Sequence, residues 1–138
     1  MTESTVKPGK INFSKIGQLI DPSIYEATLD GYKFKQTEAG ADMWTLIYKI
    51  IEDEKWANKK VFRNFMSEGD AAYYFIEALI AMGIDPDELM ADEDQDVEVY
   101  LKQAIGARVR LHIGIRSYVD KKSGDTKEVN DVSKVEAI

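Results

Sequence analysis

Tyr32, Phe34, Trp56 and Phe62 stand among cations. Lys33 and Lys35 flank the first two rings, and Lys49, Lys60 and Arg63 lie close to the others. Arg110 and Arg116 belong to a later basic run, and Lys121 and Lys122 close the series. Flat rings give unpaired bases a surface to stack on, about 1–3 kcal/mol per base, and cations neutralise phosphates. A site of that kind needs neither a nucleophile nor a proton relay. The expectation is binding of an unpaired nucleic-acid strand, with Tyr32, Phe34, Trp56 and Phe62 stacking and the Lys and Arg residues on the phosphates.

Other aromatic residues have a plainer reading. Trp44 and Tyr48 alternate with Leu46 and Ile50 and are expected in the core. Phe62 and Phe65 cannot face the same way in a regular strand, so one of them is core. Tyr74 and Phe75 fall on the apolar face of a helical pattern and are expected to pack. Lysines on the outer face of a strand also commonly do no more than guard an edge.

Chemistry of other kinds finds little support. There is no cysteine, so no disulfide and no thiolate metal site. His112 is the only histidine, and no Ser carries the glycine pattern of a nucleophile elbow. No glycine-rich phosphate loop is present. Asp92-x-Asp94-x-Asp96 imitates the start of a calcium loop but has Val97 where the glycine and Gln103 where the final glutamate belong. No catalytic residue, metal or cofactor is therefore expected, and the chain reads as a non-enzyme.

The elements that must position the aromatic and basic residues follow from periodicity. The chain has 138 residues, the size of one domain. Residues 1–22 read as an N-terminal arm, although Ile11, Phe13, Ile16, Leu19 and Ile20 could pack on the domain, and 23–138 as the domain itself. Alternation predicts strands over 24–36, 43–51, 60–66, 107–119 and 127–135. Gly31 interrupts the first and marks a bulge. Between the third and fourth strands a helical insertion spans about 68–104. Ser67 is the expected cap of its first helix and Gly83 the expected stop. The order β-β-β-α-β-β is that of the OB-fold, a five-stranded Greek-key barrel, mainly β with helices between strands 3 and 4. An open α+β sheet with helices on one face is the alternative. In OB-folds strands 2–3 and the loops joining strands 1–2 and 4–5 carry the ligand.

The formal net charge of -7 speaks at first against a nucleic-acid partner. The acids, however, are concentrated between Glu68 and Glu98, a stretch without Lys or Arg, and outside it bases outnumber acids. Segregation of this kind suggests two surfaces of opposite sign. A second reading of the chain follows: a protein-interaction module whose acidic helical segment docks a basic replication or recombination partner. No signal peptide and no apolar run of membrane-spanning length is seen, so a cytoplasmic location without membrane contact is expected.

Four stretches carry a likeness. Residues 21–27 (DPSIYEA) open the first strand, 37–46 (TEAGADMWTL) carry the turn into the second, 58–65 (NKKVFRNF) enter the third, and 105–111 (IGARVRL) open the fourth. Their succession resembles a family of bacteriophage-encoded single-stranded-DNA-binding OB-fold proteins found beside phage replication and recombination functions. It covers most of the chain from Ile24 onward. The chain departs from that family in having Ser23-Ile24 where a glycine usually precedes the first aromatic residue. It also ends in Ser133-Lys134-Val135-Glu136-Ala137-Ile138 rather than in an acidic tail. The resemblance implies single-stranded DNA as partner, replication or recombination as setting, the host cell cytoplasm as location, and possible assembly of several copies.

Overall fold

The computed structural model describes residues 19–91 and 96–138. Residues 1–18 of the expected arm, and Asp92 and Asp94 of the acidic triplet, lie outside them. The elements are β1 (Ser23–Gln36), β2 (Asp42–Ile50), β3 (Lys60–Met66), α1 (Ala72–Ala81), α2 (Pro86–Ala91), α3 (Val97–Ala104), β4 (Arg108–Val119) and β5 (Thr126–Ala137).

β1 organises the sheet. Its first half pairs with β4 and its second half with β2. Tyr25, Ala27 and Leu29 are buried, as their alternation predicts. At Asp30 the ladder slips: Leu29 opposes Tyr48, and Gly31 opposes Ile47, so β1 carries one extra residue. A single inserted residue exchanges the two faces of everything after it. Beyond the bulge Tyr32 and Phe34 oppose Leu46 and Trp44 on the core side. Lys33 and Lys35 oppose Thr45 and Met43 on the outer side.

The strands lie in the order β3-β2-β1-β4-β5, antiparallel throughout. The sheet curls until its edge strands, β3 and β5, come within 8 Å Cα to Cα, yet no ladder joins them. The expected closed barrel is thus corrected to an OB-like five-stranded sheet open along one seam. α1 explains the gap, because it touches both edge strands. It buries Phe75, Ala78 and Leu79, and Phe75 stacks on Phe65 of β3 at 5.2 Å. Ser133 adds an irregularity in β5, where the pairing with β4 shifts between His112 and Ile113.

Inside the curl Leu29, Leu46, Tyr48, Ile50, Val109, Leu111 and Val132 are almost wholly buried. Burial of a large apolar side chain stabilises by about 1.5–3 kcal/mol. The Tyr48 hydroxyl donates to the Met82 sulfur, at 3.7 Å, and burial pushes its phenol well above the usual value.

The insertion differs from expectation at its start. Ser67 does not cap α1, which begins at Ala72 without a side-chain cap. Gly69, at φ +73°, turns the chain first. The buried stripe is narrower than expected: Phe75, Ala78, Leu79 and Met82 pack, and Tyr74 is exposed. Gly83 ends α1 as expected. At φ +98° its N–H donates to the Ile80 carbonyl and that of Ile84 to Leu79, the paired bonds of a Schellman stop. Asp96 caps α3: its carboxylate accepts the Glu98 N–H at 3.1 Å.

The arm joins the domain earlier than residue 23. Ile20 is fully buried. Its N–H donates to Asn130 Oδ1 at 2.8 Å, and Asn130 Nδ2 donates back to the Ile20 carbonyl at 2.9 Å and to that of Gly114 at 3.2 Å. Among the described residues no helix is long and apolar enough to cross a membrane.

Candidate nucleic-acid interface

Residues directly opposite on neighbouring strands share a face. The outer face of β2 and β3 therefore carries Met43, Thr45, Ile47 and Lys49 beside Met66, Asn64, Phe62 and Lys60. None of these is acidic. Lys33 and Lys35 extend the face onto β1. Gly31 stands against Ile47, and a Cβ there would meet nothing within 4 Å, so the face stays open at that point.

Phe62 is 55% exposed, an unusual state for a phenylalanine in a strand. Next to it Lys49 lies directly opposite Lys60. Two like charges at directly opposed positions destabilise a ladder. The Asp30 carboxylate, on the bulge, relieves part of this by sitting 3.1 Å from Lys60 Nζ. Thr45 Oγ1 donates to Asn64 Oδ1 at 2.6 Å, which fixes the amide at the margin of the face.

The open seam adds depth. A groove of about 440 Å³ runs between β3 and the β4–β5 hairpin, with Lys59, Lys60, Phe62 and Asn64 on one wall and Arg116, Glu128, Val129 and Asn130 on the other. Arg116 Nε is 3.5 Å from the Asp131 carboxylate and largely exposed. At the hairpin end Asp120 organises the turn. It takes Lys127 Nζ at 2.8 Å and the N–H groups of Lys122 and Ser123. These bonds, that to Lys127 first, hold its carboxyl below the usual value. The turn leaves Lys121 and Lys122 exposed.

Lys33, Lys35, Lys49, Lys60 and Phe62 thus share one face, Arg116 lines the groove beside it, and Lys121 and Lys122 occupy the adjoining hairpin turn. The other candidates lie elsewhere. Tyr32 and Phe34 stand on the opposite face from their neighbouring lysines, in a cluster with Trp44; Phe34 and Trp44 centroids are 4.7 Å apart, and Phe34 keeps about half its surface exposed there. The Tyr32 hydroxyl donates to Glu98 at 2.9 Å. Desolvation, and then that carboxylate, raise its phenol above the usual value. Trp56 is only 6% exposed and belongs to the core, which corrects its reading as a stacking residue. The local cause is Asp53, whose carboxylate accepts the N–H groups of Lys55 and Trp56 and turns the β2–β3 connection inward. Arg63 opposes Leu46 on the core side, its guanidinium 4.9 Å from the Phe65 ring. Arg110 faces outward on β4 but between Glu26 and Glu136. His112 sits 3.3 Å from Glu136. That bond first, and Lys134 as well, hold the Glu136 carboxyl below its usual value.

Ile47, which alternation already puts on one face with Thr45 and Lys49, and Asn64 were not among the candidate site residues. Parity alone signals both, since Ile47 stands between Thr45 and Lys49 and Asn64 two residues beyond Phe62. Among the described residues no group of His, Asp or Glu side chains could hold a metal ion.

Fold and surface together define a mainly-β, OB-like domain with an aromatic and cationic outer face. No family model matches the chain, and no curated protein matches it. Among solved structures it is similar to a chain described as yeast RPA bound to ssDNA. The identity is 13% over 89% of this chain and 80% of that one, at a TM-score of 0.42. A superposition so loose carries no weight for fold or function, and both rest on this chain's own strands and side chains.

Proposed function

We propose that the chain binds single-stranded DNA without catalysis, along the outer face of β2 and β3 and the groove beside it. The observation that carries this reading is the exposed Phe62 beside the directly opposed Lys49 and Lys60. A fold gains nothing from opposing two ammonium groups across a ladder. A phosphate lying over both converts that cost into binding, and a base stacking on Phe62 accounts for its exposure. Lys33, Lys35 and Arg116 would hold flanking phosphates, and Lys121 and Lys122 would reach over from the hairpin turn. The open seam supports a single strand over a duplex, because a base can enter the groove only when it is unpaired.

The sequence resemblance extends the proposal to replication or recombination in a phage-infected cell, with the host cytoplasm as location. One short face contacts few nucleotides, so several copies along a strand would be the working form. The test is fluorescence anisotropy of labelled oligothymidine over a salt series, with a duplex control. Tight binding is expected at low salt, weakening with a logarithmic slope of about -0.7 per phosphate contact. Equal binding of the duplex, or none of the single strand by folded protein, would end the reading.

A further inference from the structure

The seam between β3 and β5 does not stop at the groove beside Phe62. Farther along it reopens as a second cavity of about 200 Å³, bounded by Arg63 and Phe65 of β3, Ser133 to Val135 of β5, and Tyr74 and Glu77 of α1. The two cavities are in line. Along the first, residues 59–64 face residues 128–130; along the second, residues 63 and 65 face residues 133–135. The edge strands therefore advance in the same direction on either side of one unzipped seam. From Lys60 to Phe65 that is about 16 Å of strand, at roughly 3.3 Å per residue.

The far end repeats the ingredients of the near end. Tyr73 and Tyr74 are 63% and 59% exposed, with ring centroids 6.0 Å apart in an edge-to-face pair. Packing does not account for them, since α1 buries itself through Phe75, Ala78 and Leu79. Arg63 lines the cavity. Lys134 lines it too, its exposed ammonium 3.5 Å from the Glu136 carboxylate. Glu77 is the one acid among the residues lining this cavity. Tyr74 at this cavity, edge-on to Tyr73 and near two cations, has the same recognition chemistry for a nucleotide as Phe62 beside Lys60.

We propose that the seam is one continuous track and that its α1 end is a second subsite for the same single strand, with a base on Tyr73 or Tyr74 and a phosphate between Arg63 and Lys134. The inference rests on the single-strand-binding reading above and extends it to residues on the other side of β3.

The experiment titrates full-length protein with oligothymidines of increasing length, from about 4 to 16 nucleotides, the range of one OB-type site. Wild type, Phe62→Ala and the double variant Tyr73→Ala/Tyr74→Ala are compared, with circular dichroism and the thermal midpoint confirming the fold. Wild-type affinity should rise with length in two steps. The tyrosine double variant should bind short oligomers as wild type does and lose the second step, a loss of about 5- to 150-fold for one stacked base. Arg63→Gln should lower the salt slope for long oligomers only, and serves as the second variant. A double variant that keeps both steps, or that weakens short and long oligomers alike, overturns the second subsite and leaves the proposed function standing. Failure of wild type to bind any length overturns the reading beneath it.

Discussion

Replacing Lys49 by glutamate should move stability and binding in opposite directions. In the wild type Lys49 and Lys60 are directly opposed on the outer face, a like-charge arrangement that costs a few tenths of a kcal/mol. Lys49→Glu turns it into an opposite-charge pair. Cross-strand ion pairs at such positions contribute about 0.2–1 kcal/mol. The gain here belongs toward the low end, because Lys60 is about half exposed and already shared with Asp30 at 3.1 Å. A net gain of about 0.5 kcal/mol raises the melting temperature of a domain this size by roughly 2 °C. Binding changes the other way. Losing one phosphate contact lowers the salt slope by about 0.7, roughly fivefold in affinity at 0.1 M salt, and the new carboxylate adds repulsion. Thermal melts and anisotropy titrations with oligothymidine at several salt concentrations measure both. A variant with unchanged affinity and slope would show that no phosphate lies over this face. A lower melting temperature would show that the opposed lysines are not a strain on the ladder.

Phe62→Ala and Trp56→Ala should behave as mirror images. The first removes an exposed ring and should shift stability by no more than about 0.5 kcal/mol while weakening oligothymidine binding by about 1–3 kcal/mol. The second empties a core position and should cost about 3–5 kcal/mol in urea unfolding, with the folded fraction binding as wild type does. Asn130→Ala leaves the buried Ile20 N–H and carbonyl without their partner and should lower stability by about 1–3 kcal/mol, read from the urea midpoint. Glu136 has a depressed folded-state carboxyl, so its contribution is present above its ordinary value of 4.5 and is lost as pH falls through the lower folded value. Glu136→Gln should flatten the fall in melting temperature on acidification below about pH 5, and an unchanged acid limb would show that the His112 and Lys134 contacts do not act on stability.

The order of elements along the chain and the extents of the strands were legible because they rest on local periodicity. Tyr25, Ala27 and Leu29 alternate, Gly83 has no side chain to oppose a left-handed turn, and Pro86 suits a first helical position. What was not legible depends on contacts between distant segments. Closure of the barrel turns on where α1 seats Phe75 against Phe65, and nothing in either strand encodes that. Trp56 reads as a ring among lysines, and only the two hydrogen bonds to Asp53 reveal that its loop folds inward. Tyr74 fits an apolar helical stripe, but only Phe75, Ala78, Leu79 and Met82 of that stripe meet the sheet, and Tyr74 at its margin is left in solvent.

Strand phase decides the candidate site. Sequence neighbours in a strand point to opposite faces, so Tyr32-Lys33-Phe34-Lys35 can never present its rings and its cations together. Which pair faces outward is set by Asp30 alone. Without that extra residue the inward set of Tyr25, Ala27 and Leu29 would continue as Gly31, Lys33 and Lys35. Two ammonium groups would then stand beside Trp44, and two rings would stand on the outside. With it the lysines join Lys49 and Lys60 on the outer face, Tyr32 and the half-exposed Phe34 pack beside Trp44, and Phe62 stands exposed among the cations. Asp30 also supplies the carboxylate that steadies Lys60 against Lys49. One inserted residue therefore both assigns the lysines to the face and offsets part of the repulsion their gathering creates, which ties the shape of β1 to the charge of the surface it carries.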